Sequence, residues 1–557
     1  MSDFLRAPAT APVASAVLDT AHVGDIQGAL GTIRLGDAVP RSTLWARLRT
    51  LLAIVGPGLI VMVGDNDAGA FSTYGQAGQN YGTALLWTLL LLVPVLYVNQ
   101  EMVLRLGAVT GVGHARLILE RFGRFWGAFS VIDLFILNGL TIVTEFIGIN
   151  LALGYLGLPR LWGILAAAGA VIAAASTGSF RRFERFSLAL CAGSLLLVPV
   201  LLLSHPPMAE VARDMVAPRF PEGAKLSDVM LLVIAVVGTT VAPWQLFFQQ
   251  SYVIDKRITP RFMAYAKADL WIGIAAVLVG AVAIIAFTAA ACAGTEAAGH
   301  FTDAGAMAQA LEAHAGRAAG VMFAVALLDA SIIAAAAVSL ATAYAIGDVL
   351  AVNHSLHRPA SEARGFYTVY AGLIAAAAAL GLLGSDALLG LLTNAVQTLA
   401  GVLLPSATVF LLLLCNDKAV LGPWTNGRWL NLFTGAVIWV LVMLSLVLTA
   451  ATVFPELSGE AIVGFLGAGT AAGLAGAGIV ALHHRGRGGS KRFILAEAGA
   501  GGGAPALRAD WRMPPLTELP RPRLTVATRA WMGVLRGYLV IAVLLVAWKV
   551  VQAALGG

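Results

Sequence analysis

Charge is what this chain has least of. Asp, Glu, Lys and Arg make up 12% of its 557 residues, about half the roughly 25% of an ordinary soluble domain. With 59% of the residues apolar, that scarcity excludes an ordinary soluble globular chain. Cysteine is rarer: Cys191, Cys292 and Cys415 stand singly inside apolar runs, without paired or metal-type spacing. This excludes a zinc ribbon or disulfide scaffold and leaves small packing residues. The nine histidines, from His22 to His484, fall in tails, loops or the ends of apolar runs, so no imidazole is expected at mid-membrane depth. Metal motifs of the His/Glu kind and Ser/His/Asp sets are absent from the apolar runs, which argues against an enzyme. The formal net charge of +6 sits in short loops between apolar segments, a membrane-topology pattern that excludes a nucleic-acid partner.

What is present is a succession of apolar runs long enough to cross a bilayer, from about residue 50 to the C-terminus. The chain therefore reads as an all-α polytopic membrane protein, with the lipid bilayer as its first partner. Spans are expected near 48–78, 83–104, 126–155, 161–176, 187–204, 229–252, 266–294, 317–347, 367–389, 392–415, 430–454, 460–482 and 531–553. Residues 1–43, rich in Ala, Pro and Thr, lack a signal-peptide core and read as a loosely ordered tail. Residues 44–455 read as the core, and 456–557 as C-terminal spans joined by a Gly/Pro-rich linker over about 483–528. Arg41, Arg47 and Arg49, then Arg116, Arg121 and Arg124, then "SFRRFERF" and "DKRITPRF", mark one side of the membrane; Glu210, Asp214, Glu296 and Asp303 mark the other. The positive-inside bias places the N-terminus in the cytoplasm of a cell whose plasma (inner) membrane holds the protein. Nothing in the sequence sets an oligomeric state.

Two spans interrupt their own helices. The first carries "GDNDAG", Gly64 to Gly69, and the sixth, five spans later, carries "GTTVAPWQ", Gly238 to Gln245. A pair of Gly/Pro-interrupted spans at corresponding places in two halves points to a midplane site in an inverted-repeat transporter, because unwound backbone survives at that depth only in protein or beside a cavity. An intramembrane acid costs at least ~2.5–3.5 kcal/mol, so Asp65 and Asp67 need a reason to be there. In a regular helix they would lie about 200° apart; unwinding lets both face one ligand. With Asn66 and backbone oxygens near Thr239 and Ala242, they form an oxygen-rich set suited to a hard divalent cation. The alternative is a structural carboxylate, protonated or neutralised by a basic partner, and no basic residue lies near the middle of the clear spans.

These residues carry a resemblance. "GPGLIVMVGDNDAGAFSTYGQAGQNYGTALLW", "TGSFRRFERF", "VGTTVAPWQLFFQQS" and "NAVQTLAGVLLPSATVFLLLLCNDKAVLGPWTNGRWLN" occur in the order of the first, fifth, sixth and tenth spans of the Nramp family of divalent metal transporters. The resemblance covers roughly residues 45–450. It implies a LeuT-type fold of two inverted five-helix repeats, discontinuous in helices 1 and 6, with extra C-terminal helices, and ion import by alternating access. It also implies that Gln397 lies near the ion, although an amide bonded within the bundle is an equal alternative. Glu145 matches an acid of the third span. The family's neighbouring aspartate aligns with Ile142, which interrupts the usual proton route; Asp133 is a candidate substitute, and Asp67 with Glu145 is the remaining carboxylate relay. Gln249 is a candidate lining residue of the pathway.

The chain departs from the family at the ion. Asp-Pro-Gly-Asn is replaced by Asp67-Ala68-Gly69-Ala70, and Met-Pro-His by Ala242-Pro243-Trp244. Losing a thioether and an amide makes the site wider and harder, which favours oxygen-loving Mg²⁺ and resembles the Nramp-related magnesium transporters. The expectation is a secondary transporter with no resident cofactor, Mg²⁺ its first cargo and Mn²⁺ its second. The alternatives are a proton-coupled Mn²⁺/Fe²⁺ importer and, further off, an organic-solute symporter of the same fold.

Overall fold

The computed structural model describes residues 20–37, 39–221, 223–383, 386–453, 459–486, 509 and 511–520, with isolated positions between 532 and 544. Apart from a small antiparallel hairpin, β1 (Ile26–Gly28) and β2 (Gly31–Ile33), the described chain is helical. The first span is three helices in series: α1 (Leu44–Ile54), α2 (Pro57–Val63) and α3 (Ala68–Tyr81). Then follow α4 (Leu86–Thr110), a short α5 (His114–Phe122), α6 (Arg124–Leu156), α7 (Arg160–Ser176), α8 (Phe180–Gly193) with α9 (Leu197–Leu203), and the peripheral α10 (Met208–Val216). The sixth span is α11 (Leu226–Thr240) and α12 (Pro243–Asp255). Beyond it lie α13 (Met263–Cys292), α14 (Ala304–Ala315), α15 (Arg317–Leu350), α16 (Arg364–Leu383), α17 (Asp386–Cys415), α18 (Lys418–Leu421), α19 (Arg428–Val453) and α20 (Gly459–Gly486).

Among the described residues eight helices are long and apolar enough to span a bilayer, or ten if two bent pairs each count as one span. The expected thirteenth span, 531–553, lies almost wholly outside the described residues. The interruptions fall where the sequence puts them. Gly64 closes α2, Asp67 opens α3, and between α11 and α12 Val241 and Ala242 leave helical geometry before Pro243 starts the next helix. Proline suits a first helical position, where its missing N–H costs nothing. The first span also bends by 54° between α1 and α2.

Tertiary packing is densest where α6 and α15 run side by side and where α13 lies against α2 and α3. The broken spans thus sit inside the bundle, walled from lipid by continuous helices. Two segments expected to be loose are instead packed. The hairpin in the N-terminal stretch lies on α1, and residues 511–520 of the linker dock beside α4, with the Met513 amide donating to the Val109 carbonyl at 3.3 Å. Each is also held by residues distant in the chain, Glu184 for the hairpin and Val109 for residues 511–520, which local composition does not report.

Candidate functional site

The break in the first span builds the site. After Val63 the helix tightens: the Asp65 amide donates to Met62 O and the Asn66 amide to Val63 O. The backbone of Asp67 is then extended, and its Oδ1 accepts from the Ala70 amide at 2.8 Å, so the side chain caps α3. Aspartate is a preferred cap because it satisfies an orphan amide at a terminus whose dipole is positive. The next amide of that terminus, Ala68, donates to Glu145 Oε2 at 3.1 Å. One helix start therefore holds two carboxyl groups, from Asp67 at the head of α3 and Glu145 of α6, on amides two residues apart. Gln397 of α17 lies across the same turn. A Cβ on Gly69 would come within 1.7 Å of Gln397 Nε2, so only glycine lets that amide approach so close to Asp67.

Asp65 is placed differently. Its side chain is fully buried, and neither oxygen has a hydrogen-bond partner of normal geometry. Around the second break, Tyr74 and Thr240 hydroxyls lie 2.7 Å apart, Thr240 donates to Val236 O, and Gln245 is fixed by Gln100 at 2.9 Å. Thr239 Oγ1 and both amide atoms of Gln249 are buried without partners. Ala242 caps the start of α12, its carbonyl accepting from the Gln245 amide. Buried polar atoms that cost free energy while unpaired thus recur at both interruptions.

Not every candidate joins this group. The Asn66 amide nitrogen donates to Val277 O of α13 at 3.2 Å, turning that side chain away from the sixth span. Asp133 stands twelve residues before Glu145 on α6, about 18 Å along the axis, and lies apart from the break. Among the described residues no three His, Cys, Asp or Glu side chains are arranged to hold a metal. An ion here would draw on carbonyl, amide and hydroxyl oxygen beside the two aspartates. A pocket lined by Ala68, Ser72, Thr144, Gly148, Asp303 and Thr393 leads from the start of α3 toward the bundle end that carries α14.

Several polar residues that set this geometry are not legible as such in the sequence. Asp269 of α13 accepts from the amides of Gly56, Gly58 and Leu59, at 3.1, 2.7 and 3.2 Å, and so holds the start of α2. Lys256 donates to Glu184 at 2.7 Å and to the carbonyls of Ile54 and Val55 at the end of α1. Both look like span-end charges in the sequence; their targets appear only once α1, α2, α8 and α12 are folded together.

The family model described as natural resistance-associated macrophage protein-like, Nramp, matches residues 58–451. A divalent metal cation transporter MntH of Ralstonia nicotianae is 32% identical over 421 residues, covering 72% of this chain and 90% of the relative. The MntH of Pectobacterium carotovorum is 26% identical, covering 75% of this chain and 98% of the relative. A crystal structure of the Eremococcus coleocola manganese transporter superposes with a TM-score of 0.60 at 20% identity, covering 80% of this chain and 98% of that one.

Proposed function

The chain belongs to the Nramp family, and from that premise we propose that it carries divalent metal cations across the plasma membrane, with Mg²⁺ preferred and Mn²⁺ second. Its relatives are transporters, not enzymes. The observation that carries the reading is the pairing of acids at one helix break: Asp67 at the start of α3, and Asp65 with two buried, unpartnered oxygens two residues earlier. Asp67 is the principal ligand. Asp65, Gln397 and oxygens from Thr239 to Ala242 complete the shell, with Asn66 an outer contributor and Gln249 lining the path. Preference for Mg²⁺ is supported by alanine at positions 70 and 242, where the family carries an amide and a thioether, since magnesium prefers oxygen and keeps several waters. Transport proceeds by alternating access around the two breaks, with the N-terminus in the cytoplasm.

A second reading, a proton-coupled Mn²⁺/Fe²⁺ importer, is favoured by one observation, the closeness of Asp67 and Glu145. The two carboxyl groups accept from neighbouring amides of one helix start, so a cation arriving at Asp67 would repel a proton carried on this pair. The test is uptake into proteoliposomes holding separate Mg²⁺, Mn²⁺ and pH indicators. Wild type is expected to accumulate both ions and Asp67→Ala to lose at least about tenfold in rate, the lower end of what even an outer-shell change costs a metal site. Exclusion of Mg²⁺ with metal-linked acidification would replace the first reading by the second; unchanged flux in Asp67→Ala would overturn both.

A further inference from the structure

At the bundle end opposite α14, residues 20–37 lie across the junction of α1, α8 and α12. Ile26, Ala29 and Ile33 are buried, and Ile26 and Ile33 share an apolar cluster with Ala53 and Ile54 of α1 and Val253 of α12. The hairpin touches α1 directly: a Cβ on Gly28 would come within 2.0 Å of the Ala53 carbonyl oxygen. Polar contacts fasten the rest. The Ala29 amide donates to Glu184 Oε2 at 2.6 Å, and Arg185 donates to Ala29 O at 3.0 Å. Arg257, just past α12, donates to Ala21 O at 2.9 and 2.7 Å and to Asp25 O at 3.1 Å. It does so from a left-handed backbone, φ 65°, a conformation costly for a side chain of this size and kept only where the surroundings demand it. Where the segment turns back into the membrane, Arg41 binds Asp37 and Thr50 of α1.

The segment covers a hinge. α1 meets α2 at the 54° bend, and its end is held by Lys256, whose ammonium sits on Ile54 O, Val55 O and Glu184 Oε1. Glu184 is thus shared: one oxygen holds the lysine that anchors α1, the other holds the hairpin. The hairpin bridges the two helices, so α1 cannot swing away from α8 unless the contact of Gly28 with Ala53 or that of Ala29 with Glu184 breaks. We infer that residues 20–37 are a strap that locks α1 and keeps this end of the pathway closed, and that its release precedes discharge of the cargo on this side. The inference rests on the transport reading for the meaning of opening, and on the contacts above for the lock itself.

The test reads opening without any ion. Ser187, one turn deeper on α8 than Glu184 and 1% exposed, is replaced in Ser187→Cys, and its labelling by N-ethylmaleimide is followed by mass spectrometry of its peptide in purified full-length protein. Two further changes are made separately on this background, removal of residues 1–36 and Arg257→Ala, each checked for a monodisperse size-exclusion profile. A lock requires labelling to accelerate about tenfold or more in either variant, the response of a two-state gate losing ~1.4 kcal/mol of bias. If the truncated chain does not fold, Arg257→Ala decides alone. Labelling at the wild-type rate in folded variants overturns the strap, whatever their uptake of Mn²⁺. Faster labelling in a protein that takes up neither Mg²⁺ nor Mn²⁺ would support the strap and overturn the transport reading.

Discussion

At the scale of single residues, the position that tests the proposed selectivity is Ala242. It stands in extended backbone at the start of α12, beside the break, and is largely buried, so a longer side chain there meets the site rather than lipid. Ala242→Met supplies a soft sulfur, which transition metals accept and Mg²⁺ does not. The ratio of Mn²⁺ to Mg²⁺ uptake, measured in mixed-ion proteoliposomes, is expected to rise roughly tenfold, the size of effect one well-placed contact gives. A ratio equal to wild type would mean that position 242 does not select the ion, and the magnesium preference would lose its support. Asp65 and Asp67 are legible in the sequence because a charge in an apolar run is expensive wherever the chain folds. Lys256, Glu184 and Asp269 are not, because each stands near a span end, where a charge is ordinary. Only the fold brings Asp269 onto three amides of α2, or Lys256 onto the last carbonyls of α1.

At the scale of elements, the two helix breaks follow from composition. Glycine and an Asx cap stop and restart the first span, and proline restarts the sixth. The short α5 is less legible, although it inserts His114 between its neighbours. The His114 Nδ1 lies 3.0 Å from Gln250 Oε1 on α12, and the ring packs edge-on against Phe247 at 4.9 Å. Burial pushes this imidazole down from its ordinary 6.5 to about 4, against smaller upward pulls from Gln250 and Asp348. The consequence for stability has a definite sign. Above pH 6.5 the imidazole is neutral in the folded and the unfolded chain, and acidity changes nothing. Between pH 6.5 and about 4 the unfolded chain binds a proton that the folded one refuses, so each tenfold rise in acidity costs the fold up to ~1.4 kcal/mol at this position. Thermal unfolding in detergent, followed by tryptophan fluorescence, is expected to show a midpoint that falls over this range. His114→Gln should flatten that fall; an equally steep decline in the variant would show that acid acts elsewhere.

At the scale of the whole molecule, the two ends of the bundle differ in charge and in construction. One end gathers Arg41, Arg116, Arg121, Arg181, Arg185, Lys256, Arg257 and Arg261 together with the hairpin and residues 511–520, and Arg181, Arg185, Arg257 and Arg261 bind the N-terminal stretch itself. The other carries α10 and α14, where Asp214 receives the Thr83 hydroxyl and Glu312 receives that of Tyr155. The alternation of spans was legible because hydropathy and loop charge both report it, whereas the packing of the N-terminal hairpin was not, since three-residue strands carry little periodicity of their own. Retention of Lys and Arg on the cytoplasmic side during insertion is the ground for proposing that the basic end, with the hairpin, is the inner one. An epitope fused ahead of Met1 is therefore expected to be reached by antibody only in permeabilised spheroplasts, while a cysteine introduced by Glu296→Cys, in the loop between α13 and α14, is expected to react with an impermeant maleimide in intact ones. The opposite labelling pattern would reverse the orientation, and with it the direction in which a strap at the hairpin end controls discharge.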